Sequence, residues 1–100
     1  MDVIPEPIQF EWDKGNINKS FEKHGVRNEE AEEVFTDEKA LLTEDIRHSE
    51  VERRFQIIGI IKSKRLLNIV FTIRKKKIRI ISARVANKKE RNLYEKEKDE

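Results

Sequence analysis

The chain has 100 residues, of which 36 % are hydrophobic and 42 % charged, and it contains no cysteine. A chain this short rarely builds two cores, so we expect one domain over residues 1–100, with residues 8–95 as its ordered core and residues 96–100 frayed. The lack of cysteine excludes disulfides, thiolate metal sites and thiol catalysis. No signal peptide or membrane-length apolar run is present, so a soluble cytoplasmic protein is expected.

The charges are separated along the chain. The first fifty residues hold fourteen Asp or Glu and six Lys or Arg, whereas the second fifty hold six acids and sixteen bases. A half with so little internal cancellation favours an anionic partner, most simply the phosphates of a nucleic acid. A solvated surface explains scattered lysines, but arginines at strand ends can make fork-shaped contacts with phosphate.

The first half predicts a short strand and two helices. Residues 8–12 alternate apolar and polar side chains, which indicates a half-buried strand. Asp13 can cap a helix that ends near residue 24, with Ile17 and Phe21 on one stripe. A second, short helix begins at Asn28 and ends near residues 36–37.

The second half predicts four strands and a helix. A brief strand covers residues 40–43, and three β-rich runs with short polar connections follow it, at residues 53–61, 66–74 and 77–84. These runs are typical of an antiparallel meander. A helix should run from the capping-box-like pair Asn87 and Glu90 to about Lys96, with Leu93 as its main anchor, helped by Tyr94. The order β-α-α-β-β-β-β-α predicts an α+β fold, a small, mostly antiparallel sheet with flanking helices.

The turn between the last two strands decides their register. With a two-residue turn, Arg74 faces Lys77, Phe71 faces Ile80 and Leu67 faces Arg84. The core face then carries Leu67, Ile69, Phe71, Ile73, Ile78 and Ile80, and the opposite face carries Asn68, Thr72, Arg74, Lys77 and Arg79. Arg84 would close an apolar stripe, where a charge needs a partner or an open cleft.

No pattern supports metal, serine or phosphate-loop chemistry, and we expect no cofactor. The only histidines, His24 and His48, have no second ligand at a suitable spacing. Cleavage of RNA without a metal suits the residues better, because the ribose 2′-hydroxyl is itself the nucleophile. The protein then has to move protons, for which histidine is well suited, and to stabilise the phosphorane, for which arginine is well suited.

Each candidate also has a structural explanation. His24 could simply satisfy the last carbonyls of its helix, and His48 could be an exposed loop residue. Arg84 could form an ion pair with an acid of the first half, and Arg74 and Arg79 could serve solubility alone.

Several short segments, in this order, resemble the BrnT family of bacterial type II toxins. They are residues 10–13, Asn18, residues 23–26, residues 30–31 and 33–35, residues 44–45 and 47–49, residues 52–55 and 58–59, residues 78–84, Ala86, residues 89–91 and Tyr94. The resemblance covers about residues 8–95. The turn at residues 75–77 departs from the family, which often has a more acidic or glycine-containing turn there.

The resemblance implies a RelE-like fold and a ribonuclease that needs no metal. It also implies neutralisation by a BrnA-like antitoxin, which commonly binds operator DNA as part of a toxin–antitoxin hetero-oligomer. The matching positions nominate Lys23, His24, Arg54, Arg84 and Glu90 as catalytic residues. They add Arg91 and Tyr94 to Arg74, Arg79 and His48 as candidate RNA-binding residues.

We therefore interpret the chain as a toxin endoribonuclease whose RNA lies along the cationic sheet face. Two alternatives remain open at this point. A non-catalytic nucleic-acid-binding module would use the same basic face, and so would a docking surface for an acidic protein.

Overall fold

A computed structural model describes residues 3–45 and 51–98. Four antiparallel strands form one sheet in the order β1-β2-β3-β4: β1 (Leu41–Glu44), β2 (Arg54–Ile60), β3 (Leu66–Arg74) and β4 (Lys77–Val85). The helices are α1 (Lys19–His24), α2 (Asn28–Glu33), which leads into a 3₁₀ turn (Val34–Thr36), and α3 (Lys88–Lys98). The α+β prediction is confirmed. Among the described residues, no helix is long and apolar enough to cross a bilayer.

The predicted strand at residues 8–12 is reduced to one bridge. Phe10 pairs in parallel with Ile78, through a Glu11 N–H that donates to the Ile78 C=O at 2.8 Å and an Ile78 N–H that donates to the Gln9 C=O at 2.8 Å. This N-terminal segment therefore runs along the outer side of β4. It satisfies backbone groups that an edge strand would otherwise expose.

The helix predicted from Asp13 begins later, at Lys19. One turn forms first, in which the Ile17 N–H donates to the Asp13 C=O at 2.8 Å, and Asn18 then takes a φ of 60°. A left-handed residue cannot continue a right-handed helix, so α1 starts after it. No residue of α1 is buried, and Phe21 is 50 % exposed. The stripe of Ile17 and Phe21 therefore faces solvent.

Polar contacts, and not apolar burial, hold this region on β4. Asn16 is buried, and its Nδ2 donates to the carbonyls of Glu11 and Ile80, both at 3.0 Å. The Ser20 hydroxyl accepts the Ala83 N–H at 2.8 Å. Both residues bond backbone groups on the outer edge of β4, so they fix where α1 and the turn before it lie.

The main core lies between one face of the sheet and the helical layer. It contains Val26, Ala31, Val34, Phe55, Ile57, Ile61, Leu67, Ile69, Phe71, Ile78, Ile80 and Ala83. Gly59 lets the 3₁₀ turn approach β2 closely, because a Cβ on Gly59 would lie 2.9 Å from Cγ1 of Val34. A smaller cluster of Ile58, Leu66, Ala86 and Tyr94 lies under α3 on the other face.

The register of the last hairpin is confirmed near the turn and wrong beyond it. Arg74 pairs with Lys77 and Phe71 with Ile80, as predicted. The register then shifts between Val70 and Phe71, so Leu67 faces Val85 and not Arg84. A bulge of one residue sends every following side chain to the opposite face. Arg84 therefore leaves the core stripe in which the sequence placed it.

We call the sheet face opposite the main core the polar face. It carries Arg54, Asn68, Thr72, Arg79 and Arg84, among others. Arg54, Thr72 and Arg79 form one cross-strand row, and Ile58, Asn68 and Arg84 form another. Four residues of β3 separate the two rows, which is about 14 Å along the strand.

Helix α3 begins beside the row of Arg84. The predicted capping box is confirmed: the Glu90 N–H donates to Asn87 Oδ1 at 2.8 Å, and the Asn87 N–H donates to Glu90 Oε1 at 2.9 Å. The predicted anchor is wrong, because Tyr94 is 2 % exposed while Leu93 is 44 % exposed. Tyr94, and not Leu93, attaches the helix to the sheet.

Candidate functional site

The start of α3 brings two predicted site residues into direct contact. Nη1 and Nη2 of Arg84 donate to Oε1 and Oε2 of Glu90 at 2.8 and 2.7 Å. Arg84 comes from β4 and Glu90 from the first turn of α3, so the pair joins two elements that only the fold brings together. Its hydrogen bond to Glu90 raises the pKa of Arg84, so the guanidinium stays charged.

The Glu90 carboxylate is fully occupied. Besides Arg84, its Oε1 accepts the Asn87 N–H at 2.9 Å and its Oε2 accepts Nδ2 of Asn68 at 2.6 Å. A carboxylate offers about four lone-pair positions, and four donors fill them. Partial burial raises the pKa of Glu90, but the bonds from Arg84, Asn87 and Asn68 outweigh burial and hold it below its ordinary value. Glu90 is therefore ionised and has no position left for a further proton donor.

Arg84 keeps one edge of its guanidinium available. Its Nη1 also donates to the Val85 C=O at 3.3 Å, which uses both protons of that nitrogen. Of the five N–H donors of an arginine, Nε–H and one proton of Nη2 have no partner among the described residues, and these two lie on the same edge. The Arg84 side chain is 37 % exposed. A second anion can therefore take the free edge while Glu90 holds the other.

Asn68 supports this arrangement from beneath. It lies opposite Arg84 on β3, it is buried, and its Oδ1 has no hydrogen-bond partner among the described residues. The amide orients the carboxylate that in turn orients Arg84. The sequence placed Asn68 on the polar face but gave no reason to select it, because its role depends on the bulge that brings Arg84 opposite.

Arg79 is differently placed. Its Nη1 and Nη2 donate to the two Asp13 carboxylate oxygens at 2.8 and 2.9 Å, and Nη1 also donates to Oε1 of Glu11 at 3.0 Å. Only 13 % of the Arg79 side chain is exposed. The bond from Arg79 holds the pKa of Asp13 below its ordinary value. Arg79 therefore ties the N-terminal segment to β4. An ion pair with acids of the first half, which the sequence analysis considered for Arg84, is thus formed by Arg79.

The remaining arginines of the prediction are spread over the polar face and α3. Arg74 donates from Nε and Nη2 to the two Glu52 oxygens, each at 2.9 Å. Arg54 is half-buried on β2 in the row of Arg79, and Arg91 is exposed in the first turn of α3, next to Glu90. The structure thus does not gather all the predicted cations around one point.

Two further residues of the predicted catalytic set lie at the side of the sheet. Lys23 and His24 are both exposed at the end of α1. His24 is one helical turn beyond Ser20, which bonds the N–H of Ala83, the residue before Arg84. His48 lies outside the described residues.

Tyr94 has a structural position. Its hydroxyl donates to Oδ2 of Asp37 at 2.7 Å, and the same oxygen accepts the Ile60 N–H at 2.9 Å. Burial first, and then Asp37, raise the pKa of Tyr94 far above its usual range. A ring that is almost fully buried has no face for a base to stack on. Asp37, which joins α3 to β2, had no signal in the sequence beyond a polar residue at a predicted helix end.

The comparison with known families gives a match over most of the chain. The family model described as "Ribonuclease toxin, BrnT, of type II toxin-antitoxin system" matches residues 12–90, a range that includes both Arg84 and Glu90. No curated protein matches the chain. The match covers well over half of the chain, and it confirms the resemblance found in the sequence. The chain belongs to the BrnT family of ribonuclease toxins of type II toxin–antitoxin systems.

Proposed function

We propose that the protein is a metal-independent endoribonuclease toxin that cleaves RNA by attack of the 2′-hydroxyl on the neighbouring phosphate. The observation that carries the proposal is the Arg84–Glu90 pair, in which the Nε/Nη2 edge of Arg84 has no partner within residues 3–45 and 51–98. Membership of a ribonuclease family supports the reaction class.

In this mechanism Arg84 stabilises charge on the phosphate. The 2′-oxygen forms a bond to phosphorus while the bond to the 5′-oxygen breaks, and the two non-bridging oxygens gain charge in between. Two parallel N–H donors fit such a pair of oxygens, and they need no reorganisation if they are already held in place. Glu90 is a positioning residue in this account, since it orients Arg84 without contacting the RNA.

Proton transfer falls to other residues, because every acceptor position of Glu90 is taken. We assign it to His24, because an imidazole can both accept the proton of the 2′-hydroxyl and donate a proton to the 5′-oxygen. Lys23 and Arg91 would add phosphate contacts around this centre. Arg54, in the row of Arg79, would contact the RNA about 14 Å away along the strands. Replacement of His24 by Ala should slow cleavage by roughly 10²-fold, as for a general acid or base, without lowering the stability of the fold.

A BrnA-like antitoxin is the proposed protein partner, and the toxin–antitoxin complex would bind operator DNA. The type II family supports a protein antitoxin. Expression of the toxin should arrest bacterial growth, and co-expression of a small neighbouring reading frame should restore it. Continued growth with the toxin alone would count against the proposal.

The chemistry is tested with purified protein and RNA in excess EDTA. The account predicts cleavage, with 2′,3′-cyclic phosphate and 5′-hydroxyl ends, because the 2′-oxygen is the nucleophile. Loss of cleavage in EDTA would contradict the metal-free scheme, and 5′-phosphate ends would contradict 2′-hydroxyl attack. RNA that is bound but left intact would favour a non-catalytic nucleic-acid-binding module.

A further inference from the structure

The hairpin tip, which we define as Lys75, Lys76 and Lys77, carries the turn between β3 and β4. Arg74 and Lys77 pair directly, so the turn has two residues, Lys75 with φ 50° and Lys76 with φ 66°. Positive φ at both positions defines a type I′ turn, which matches the twist of the strands.

Lysine is a poor residue for this turn. Asn-Gly is strongly preferred, because both positions need the left-handed backbone and a Cβ is strained there. The backbone alone therefore does not explain two lysines. Strained residues persist where their side chains have another use.

The charges of the tip are available for binding. All three lysines are exposed, and none of them pairs with a carboxylate among the described residues. The arginines nearby differ, because Arg74 is held by Glu52 and Arg79 by Asp13 and Glu11. The end of the hairpin thus carries three consecutive exposed lysines without a carboxylate partner in the described part of the chain, beside arginines whose charge is already paired.

We propose that the hairpin tip binds the phosphate backbone of single-stranded RNA and anchors the substrate away from the point of cleavage. The row of Arg74 and Lys77 is six β3 residues from the row of Asn68 and Arg84, about 20 Å along the strand. Lysines act as point charges and read no base, so the anchor would add affinity without sequence preference. The inference rests on the proposed function in that RNA is the ligand.

The test is the double substitution Lys75→Asn with Lys76→Gly. It provides the preferred turn and removes two charges, so the thermal midpoint should rise while RNA affinity falls. The matched control is Lys62→Asn with Lys64→Gly in the β2–β3 turn, where both lysines are exposed and Lys64 has a φ of 74°. That turn is closer to Arg84 than the tip is, so a general charge effect would be at least as large there.

Binding is measured with a 2′-O-methyl RNA oligonucleotide long enough to span both ends of the polar face, by fluorescence anisotropy at several salt concentrations. Such RNA has no free 2′-hydroxyl, so affinity is read without cleavage. For two lost phosphate contacts, the slope of log K against log salt should fall by about 1.4, and the affinity at 0.1 M salt by on the order of tenfold. The control should change both values far less. The single substitution Lys77→Gln, outside the turn, should lower the slope by about 0.7.

Unchanged affinity and slope in the tip variant, or an equal loss in the control, would overturn the anchor. Failure of the ribonuclease proposal is seen separately, as RNA that the parent protein binds but does not cleave. If the parent protein binds no RNA at all, the anchor is overturned as well.

Discussion

Arg84 and Arg79 are on the same strand and the same face, yet they have different surroundings. Glu90 occupies one edge of Arg84 and leaves the other edge on a side chain that is 37 % exposed. Two carboxylates of the N-terminal segment enclose Arg79, which is 13 % exposed. A cation on a basic strand is therefore not automatically available to phosphate, because its carboxylate partner, and the guanidinium edge which that partner occupies, decide what can still bind.

The largest effect is expected from the two arginines themselves. Arg84→Ala should lower the rate of RNA cleavage by roughly 10²–10³-fold, as the loss of one preorganised donor does. Arg79→Ala should leave the rate per folded molecule nearly unchanged and lower the thermal midpoint, because Glu11 and Asp13 lose their partner. Single-turnover cleavage of RNA measures the rate of each variant, and thermal unfolding measures its midpoint.

Arg84→Lys is the conservative control, and it should also lose activity because lysine lacks the paired donors. If Arg79→Ala abolished RNA cleavage and Arg84→Ala left its rate unchanged, the roles assigned to the two arginines would be reversed.

The next largest effect is on stability, at the N-terminal segment that carries Glu11 and Asp13, the partners of Arg79. Asn16→Ala should lower the free energy of unfolding by about 2 kcal/mol, since it leaves the Ile80 carbonyl without its donor. Urea unfolding measures the change. Asn92→Ala, at an exposed position on α3, is the control and should change it by less than about 0.5 kcal/mol. Equal effects at both positions would show that Asn16 does not hold the segment.

A smaller effect is expected at the anchor of the helix that carries Glu90. Tyr94→Phe removes the bond to Asp37 and should lower the free energy of unfolding by about 1 kcal/mol. The cleavage rate of the folded variant should stay close to that of the parent. A large loss of rate with a stable fold would instead make Tyr94 a proton donor in the reaction.

The smallest effect is the acid dependence of stability. Burial raises the pKa values of Glu90 and Asp37, but their hydrogen bonds outweigh it and bring both below their ordinary values of 4.5 and 3.8. A depressed pKa contributes stability that is fully present above the ordinary value and is lost as pH falls through the lower, folded value. Urea midpoints measured from neutral pH downward should therefore decline only in acid, and Glu90→Gln should flatten part of that decline.

Much of the fold was predictable, because apolar and polar side chains alternate along the strands and the turns between the last three strands are short. The pairing of Arg74 with Lys77 follows from the length of the turn alone. The bulge was not predictable, since residues 80–83 contain no glycine or proline to mark it. That single extra residue moved Arg84 to the polar face, so the sequence selected Arg84 for a position that it does not occupy.

The ion pairs were equally hidden. The sequence suggested that the basic half keeps its charges uncancelled, and this is wrong for several arginines. Glu11 and Asp13 reach Arg79 from more than sixty residues away in the chain. The sequence also suggested that the apolar stripe of Ile17 and Phe21 is buried, but both side chains are exposed. Hydrogen bonds from Asn16 and Ser20 already hold this region on β4.

The central claim is that Arg84 meets phosphate through the edge that Glu90 leaves free. Side-chain ¹⁵N NMR tests it directly, by titration of the protein with 2′-O-methyl RNA and assignment of the Arg84 signals from the Arg84→Lys spectrum. The account predicts that the Nε–H resonance of Arg84 shifts on binding while the resonances of Arg79 do not. A shift at Arg79 with an unperturbed Arg84 would contradict it.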